Sequence, residues 1–230
     1  MTGTIVNAAA IILGALIGLV FRKRLPERVR HTIMQGLGLA VLLIGFQMSM
    51  QTQQVLVVVV SLVLGGLAGE LLNIEGWLDR LGRWVDVKAG GTAGEAGKAF
   101  VATSLIYCVG AMAIMGSIED GLNNNHQILF TKAALDGVSA ALFASTMGPG
   151  VAFSAIPVFV YQGAITMLAA SAKGILGPAA VLEMSAVGGL LILGIGLNIL
   201  NIKEIRVGNL LPAIFFAIPL AYWLPKIIPG

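Results

Sequence analysis

Lys132 and Asp136 stand four residues apart inside the apolar stretch 128–142. That spacing puts both side chains on one face of a helix. An unpaired charge at the centre of a bilayer costs at least about 2.5–3.5 kcal/mol, so intramembrane charges pair and face a bundle interior or a wet cavity. A carboxylate held beside an ammonium there can coordinate a small cation or relay a proton. If the permeant species is an anion, the roles invert, with Lys132 the ligand and Asp136 its orienter. The structural alternative is that Lys132 snorkels to the interface and Asp136 only neutralises it. Lys132 is shallow enough for that, whereas Asp136 lies nearly three turns deep. The expectation is that Asp136 faces a polar cavity near irregular backbone at 148–157.

That irregularity is written in Gly148-Pro149-Gly150 and in Pro157, two glycines and two prolines in ten residues. Such a run interrupts regular helix. Exposed carbonyls and amides are tolerated at membrane depth only against protein or water, and transporters bind ions at such breaks. A tight turn followed by a proline kink is the alternative. Asn7, Ser139, Ser154, Gln162, Asn198 and Asn209 complete the candidate ion- or substrate-binding set with Lys132 and Asp136. Gln35, Gln47, Ser104, Tyr107 and Thr166 also fall within apolar runs, where most such residues act as interhelical hydrogen-bonding glue. Glu119 and Asp120 read as a solvated acidic loop, and Glu183 and Glu70 as acids at helix ends.

Enzyme chemistry finds no motif. The two histidines, His31 and His126, fall in different loops, and Cys108, the single cysteine, cannot complete a metal set with them. There is no P-loop, GxSxG or HExxH. No catalytic residue, cofactor, metal or nucleic-acid partner is expected.

The elements that must position these residues follow from composition. Of 230 residues, 57% are apolar and only 11% charged, against about 25% charged in soluble domains. Mean hydropathy is +0.93. Soluble and disordered classes are excluded. A single all-α transmembrane domain over 1–230 is expected, with about eight spans near 4–21, 33–50, 54–72, 99–117, 126–147, 150–170, 179–199 and 207–225. Eleven of the fourteen basic residues, among them Arg22, Lys23, Arg24, Arg28 and Arg30, fall in loops on one side of such a chain. The positive-inside rule makes that side cytoplasmic and both termini external, with Lys173 and Lys226 outside. Residues 73–98 read as a cytoplasmic amphipathic helix bearing Trp77 and Trp84, then a glycine-rich linker.

Two internal similarities stand out. The frames Gly14/Gly18 and Gly65/Gly69 are both GxxxG and suit close helix packing, within the chain or in a homodimer. Residues 38–47 resemble 189–198, so spans 1–3 repeat as spans 6–8 in inverted orientation, a plan of secondary transporters.

A more specific pattern runs through Gly116-Ser117-Ile118-Glu119-Asp120-Gly121, Thr131-Lys132-Ala133-Ala134-Leu135-Asp136-Gly137, Gly148-Pro149-Gly150, Tyr161-Gln162-Gly163 and Arg206-Val207-Gly208-Asn209. It resembles the YqgA/YdfK-like family of bacterial inner-membrane proteins, a domain-of-unknown-function family for which a sodium channel or pump role has been suggested. The resemblance covers essentially the whole chain. It implies an inner-membrane location and favours a cation such as Na⁺, and it brings no catalytic residues with it. Function is therefore expected to be passage of a small ion or solute across the membrane, as a channel or secondary transporter. The alternatives are a non-transporting scaffold or regulatory subunit, and an anion or small-solute carrier built on Lys132.

Overall fold

A computed structural model describes residues 1–22, 24–88, 95–170 and 176–227. Lys23, the glycine-rich linker at 89–94 and Lys173 lie outside the described residues, as does the side chain of Lys226. Among the described residues all regular structure is helical: α1 (Thr2–Arg22), α2 (Glu27–Ser49), α3 (Val55–Leu72), α4 (Ile74–Lys88), α5 (Glu95–Cys108), α6 (Ala111–Leu122), α7 (Gln127–Met147), α8 (Gly150–Phe153), α9 (Ala155–Met167), α10 (Pro178–Ile199), α11 (Val207–Leu210) and α12 (Pro212–Ile227). Seven stretches are long and apolar enough to cross a bilayer, and an eighth is formed if α5 and α6 are one span bent by 61°. The eight expected spans are recovered with one difference in kind: the span expected at 99–117 is broken in its middle. Gly110 sits there at φ +153°, a conformation that only glycine adopts cheaply.

The chain forms two compact units. Unit 1 comprises Met1–Leu37, Asp79–Cys108 and Met112–Ala170; unit 2 comprises Gly38–Leu78, Val109–Ala111 and Ser171–Gly230. Unit 1 therefore takes span 1 together with spans 5 and 6, and unit 2 takes span 3 with spans 7 and 8. On this division each copy of the expected repeat, spans 1–3 and spans 6–8, is split, with its first span in unit 1 and its last in unit 2.

In unit 1, α1 packs along α7 through the first glycine frame. A Cβ on Gly14 would come within 2.0 Å of the Gly137 carbonyl oxygen, and one on Gly18 within 2.2 Å of that of Ala141. In unit 2 the second frame does the same work. A Cβ on Gly69 would meet the Asn209 carbonyl oxygen at 1.9 Å, and one on Gly65 the Ala213 amide nitrogen at 2.3 Å. Small residues let backbones approach this closely where lipid supplies no hydrophobic drive between helices. Both frames expected to suit a homodimer are thus occupied within the chain. Leu13, Leu16 and Ile17 of α1 and Leu39, Leu43 and Phe46 of α2 are exposed, as suits a surface whose solvent is hydrocarbon.

Helix α4 is amphipathic as read from the sequence, with Trp77 and Trp84 exposed. It is also docked. Val85 is buried with Ala96 and Phe100, and the buried Asp86 accepts the Gly97 amide at 2.9 Å in the first turn of α5, where a carboxylate complements the helix dipole.

Candidate functional site

Within unit 1, α7 carries Lys132 and Asp136 on one face, as their spacing requires. Asp136 is the tenth of 21 residues in α7, roughly 14 Å from its start at 1.5 Å per residue, which is mid-depth for a core about 30 Å thick. Lys132 Nζ donates to both carboxylate oxygens, at 2.9 Å to Oδ1 and 2.7 Å to Oδ2. The side chains retain only 10% and 9% of their exposure. Lys132 therefore does not snorkel: its ammonium turns along the helix to Asp136.

Two further helices close on the pair. Asn7 of α1 donates from Nδ2 to Asp136 Oδ2 at 3.1 Å, and the same nitrogen lies 3.3 Å from Gln162 Oε1 on α9. The acceptor-only carboxylate fixes which end of Asn7 faces it, and Asn7 in turn fixes Gln162. Both amides are fully buried. Their other ends, Asn7 Oδ1 and Gln162 Nε2, have no hydrogen-bond partner. Each such orphan costs about 1–3 kcal/mol. Three residues before Asn7 and four after Gln162, the hydroxyls of Thr4 and Thr166 meet at 3.4 Å. On the other side of Asp136, the Ser139 hydroxyl donates to the Asp136 carbonyl at 3.0 Å and lies 3.4 Å from the Tyr107 hydroxyl of α5. The polar residues of α1, α5, α7 and α9 thus form a column of neighbouring contacts within unit 1.

Of the sequence candidates, Lys132, Asp136, Asn7, Gln162 and Ser139 are brought together. Ser154 is not: its buried hydroxyl is taken by the Val151 carbonyl at 2.6 Å. Asn198 and Asn209 belong to unit 2 and act locally. Asn198 clamps both backbone polar groups of Ile205, at 2.8 and 2.9 Å. Asn209 donates to Glu70 at 2.5 Å and accepts the Glu75 amide at 2.8 Å. Thr4 was not singled out in sequence, although a hydroxyl one turn from Asn7 on an otherwise apolar helix was a usable signal.

The irregular segment is tighter than its composition suggests. Gly148 ends α7 at φ +95°, and a Cβ there would stand 1.7 Å from Arg22 Nη1. Gly150 lets α8 reach α5, since a Cβ would meet the Ala96 carbonyl oxygen at 1.8 Å. Pro149 precedes α8, and Pro157 falls in the first turn of α9, where backbone N–H groups have no intrahelical partner to lose. The result is a close turn, with no wide unwound region. An open groove of about 440 Å³ between α1 and α7, lined by Ala10, Leu13, Gly14, Gly137 and Val138 among others, is apolar and includes none of the polar column. This groove is not the polar cavity expected beside Asp136 near 148–157, and the partners of the carboxylate are Lys132 and Asn7 from α7 and α1.

Three acids differ from their sequence reading. Asp120 is buried, not solvated: it lies in α6, hydrogen-bonded to His126. Glu183 complements the start of α3 instead of its own helix, accepting Thr52 Oγ1 at 2.5 Å and the Gln53 amide at 2.9 Å. Glu70 pairs with Arg206 at 3.2 Å besides holding Asn209.

A bundle of apolar helices with a buried ion pair at mid-depth defines a polytopic α-helical membrane protein. Comparison with known proteins agrees. The chain matches the family described as protein of unknown function (DUF554) over residues 2–222, and it belongs to that family. It is 33% identical over 218 residues to the uncharacterized membrane protein YdfK of Bacillus subtilis (strain 168), covering 93% of each chain. It is 32% identical over 224 residues to the uncharacterized protein YqgA of Escherichia coli (strain K12), covering 95% of each. No solved structure matches it.

Proposed function

We propose that this protein carries a small cation across the bacterial inner membrane, with Asp136 as the ligand that draws it in. The observation that carries this reading is the set of groups converging at mid-depth: a carboxylate, two amides with orphaned ends, and hydroxyls a turn away. Interhelical glue needs pairwise contacts only, and glue leaves few buried polar atoms without partners. Here two of them, Asn7 Oδ1 and Gln162 Nε2, belong to amides linked through Asn7 Nδ2 to the Asp136 carboxylate. The resemblance to a family with a suggested sodium role points the same way. The positive-inside count supports both termini outside, and a homodimer would have to use faces other than the glycine frames.

The test is uptake into liposomes holding the purified protein, screened over Na⁺, K⁺, H⁺ and small organic solutes. Uptake of a monovalent cation, abolished by Asp136→Asn, is expected. Cation uptake that survives Asp136→Asn would reduce the pair to a structural role. Anion uptake damaged most by Lys132→Gln would replace the cation reading, and no uptake of any species would favour a scaffold.

A further inference from the structure

We propose that the site works by exchange: a dehydrated monovalent cation and the Lys132 ammonium compete for Asp136, so the cation enters as Lys132 gives up a proton. This rests on the transport reading above and adds its coupling.

The geometry leaves little alternative for a cation at this carboxylate. Lys132 Nζ occupies both Asp136 oxygens, and Asn7 takes a second position on Oδ2. As it stands the cluster is neutral, one ammonium against one carboxylate. From α1 and α9 it receives the amides of Asn7 and Gln162 and the hydroxyls of Thr4 and Thr166. From α5 it receives the Tyr107 hydroxyl through Ser139, with Cys108 the next residue along that helix. Phenols and thiols are neutral in their ordinary ranges at pH 7. A cation added to the intact pair would leave one uncompensated positive charge in an apolar bundle, which desolvation strongly opposes. Neutrality returns when one N–H bond of Lys132 breaks, its electron pair stays on Nζ and the proton passes to water. The carboxylate then holds the cation, and Lys132 is a neutral amine. Charge balances as one cation in for one proton out.

The orphaned amides say where the cation goes and of what kind it is. Asn7 Nδ2 bridges Asp136 Oδ2 and Gln162 Oε1, which is the position of a donor between two oxygens. Turning the Asn7 amide over would bring its free Oδ1 to the same place. Three oxygens would then converge and require a cation. A single carboxylate with neutral oxygens suits a monovalent ion, since divalent cations draw on more carboxylate oxygen.

The experiment loads liposomes containing the full chain with a pH-sensitive dye and follows ²²Na⁺ uptake and internal pH together, with the membrane potential clamped at zero. Wild-type protein is expected to move one proton outward per Na⁺ taken up, and at the same rate when the clamp is reset to another potential. Lys132→Arg keeps a cation beside Asp136 but cannot release its proton, so exchange is expected to fall at least tenfold. Wild-type Na⁺ uptake without proton movement would overturn the exchange while leaving transport standing, and so would Lys132→Arg exchanging at the wild-type rate. Absence of any cation uptake overturns both. Should the variant not reach the membrane, adding Na⁺ to detergent-solubilised wild-type protein in weak buffer decides: release of about one proton per chain supports the proposal, and none overturns it.

Discussion

At the scale of single residues, the decisive comparison is between breaking the ion pair and removing it. Losing one partner of a buried pair typically costs about 3–5 kcal/mol, whereas replacing both by neutral groups is often close to neutral. Asp136→Asn alone is therefore expected to lower the melting temperature of the purified protein, with Lys132 left without its carboxylate. Asp136→Asn combined with Lys132→Gln should restore most of that loss and still show no uptake. A double variant that transports normally would remove Asp136 from the mechanism. Asn7→Ala removes the donor that bridges Asp136 and Gln162. It should cost about 1–3 kcal/mol and slow uptake severalfold, measured by thermal unfolding and by flux. The spacing of Lys132 and Asp136 was legible in the sequence because an i,i+4 relation is local. The polar character of Asn7 and Gln162 was equally visible. Their partnership was not, because the contacts join residues 129 and 155 positions apart, and nothing in a local pattern specifies which helices meet. Glu183 shows the same limit: an acid in the first turns of one helix serves the start of another, 130 residues away.

At the scale of elements, the glycines divide into those a helix contact requires and those it does not. Gly14→Val would place side-chain carbon on the Gly137 carbonyl, so α1 and α7 must separate. Overpacking of this kind costs about 1–3 kcal/mol or more, and the separation would also pull Asn7 from Asp136. Reduced thermal stability and lost uptake are expected together. Gly36 of α2 has nothing within 4 Å of its Cβ position. Gly36→Ala should leave flux unchanged and hold or raise stability by up to about 1 kcal/mol, the helix-propensity difference. Span limits were legible because the bilayer imposes a length and an apolar composition. The 61° break between α5 and α6 was not, since the sequence around Cys108-Val109-Gly110 lacks a proline and a lone glycine is tolerated inside many membrane helices. The prolines at 149 and 157 overstated disruption for the converse reason: each occupies a position with no hydrogen bond to lose.

At the scale of the whole molecule, orientation follows from how charge is sorted along unit 1. One end gathers Thr4 with Thr166 and the buried Asp120–His126 pair. Toward the other end of α1 and α7, Arg22 pairs with Glu95 at 3.2 Å and packs on Gly148. There, too, lie Arg24 in the α1–α2 connection and Arg28 in the first turn of α2. Basic residues near span ends are retained on the cytoplasmic side, so the Arg22 end is expected inside and the Asp120 end outside. Along α1 and α9, Thr4 and Thr166 lie a turn from Asn7 and Gln162 on the Asp120 side, while α7 beyond Ser139 continues through Ala140, Ala141 and Leu142. The chain contains a single cysteine, so a Cys108→Ser background permits clean thiol labelling. Asn123→Cys and Arg28→Cys both replace exposed residues. A membrane-impermeant maleimide should label the first in intact cells and the second only after permeabilisation. The opposite pattern would invert the protein in the membrane, and with it the direction in which cation and proton exchange.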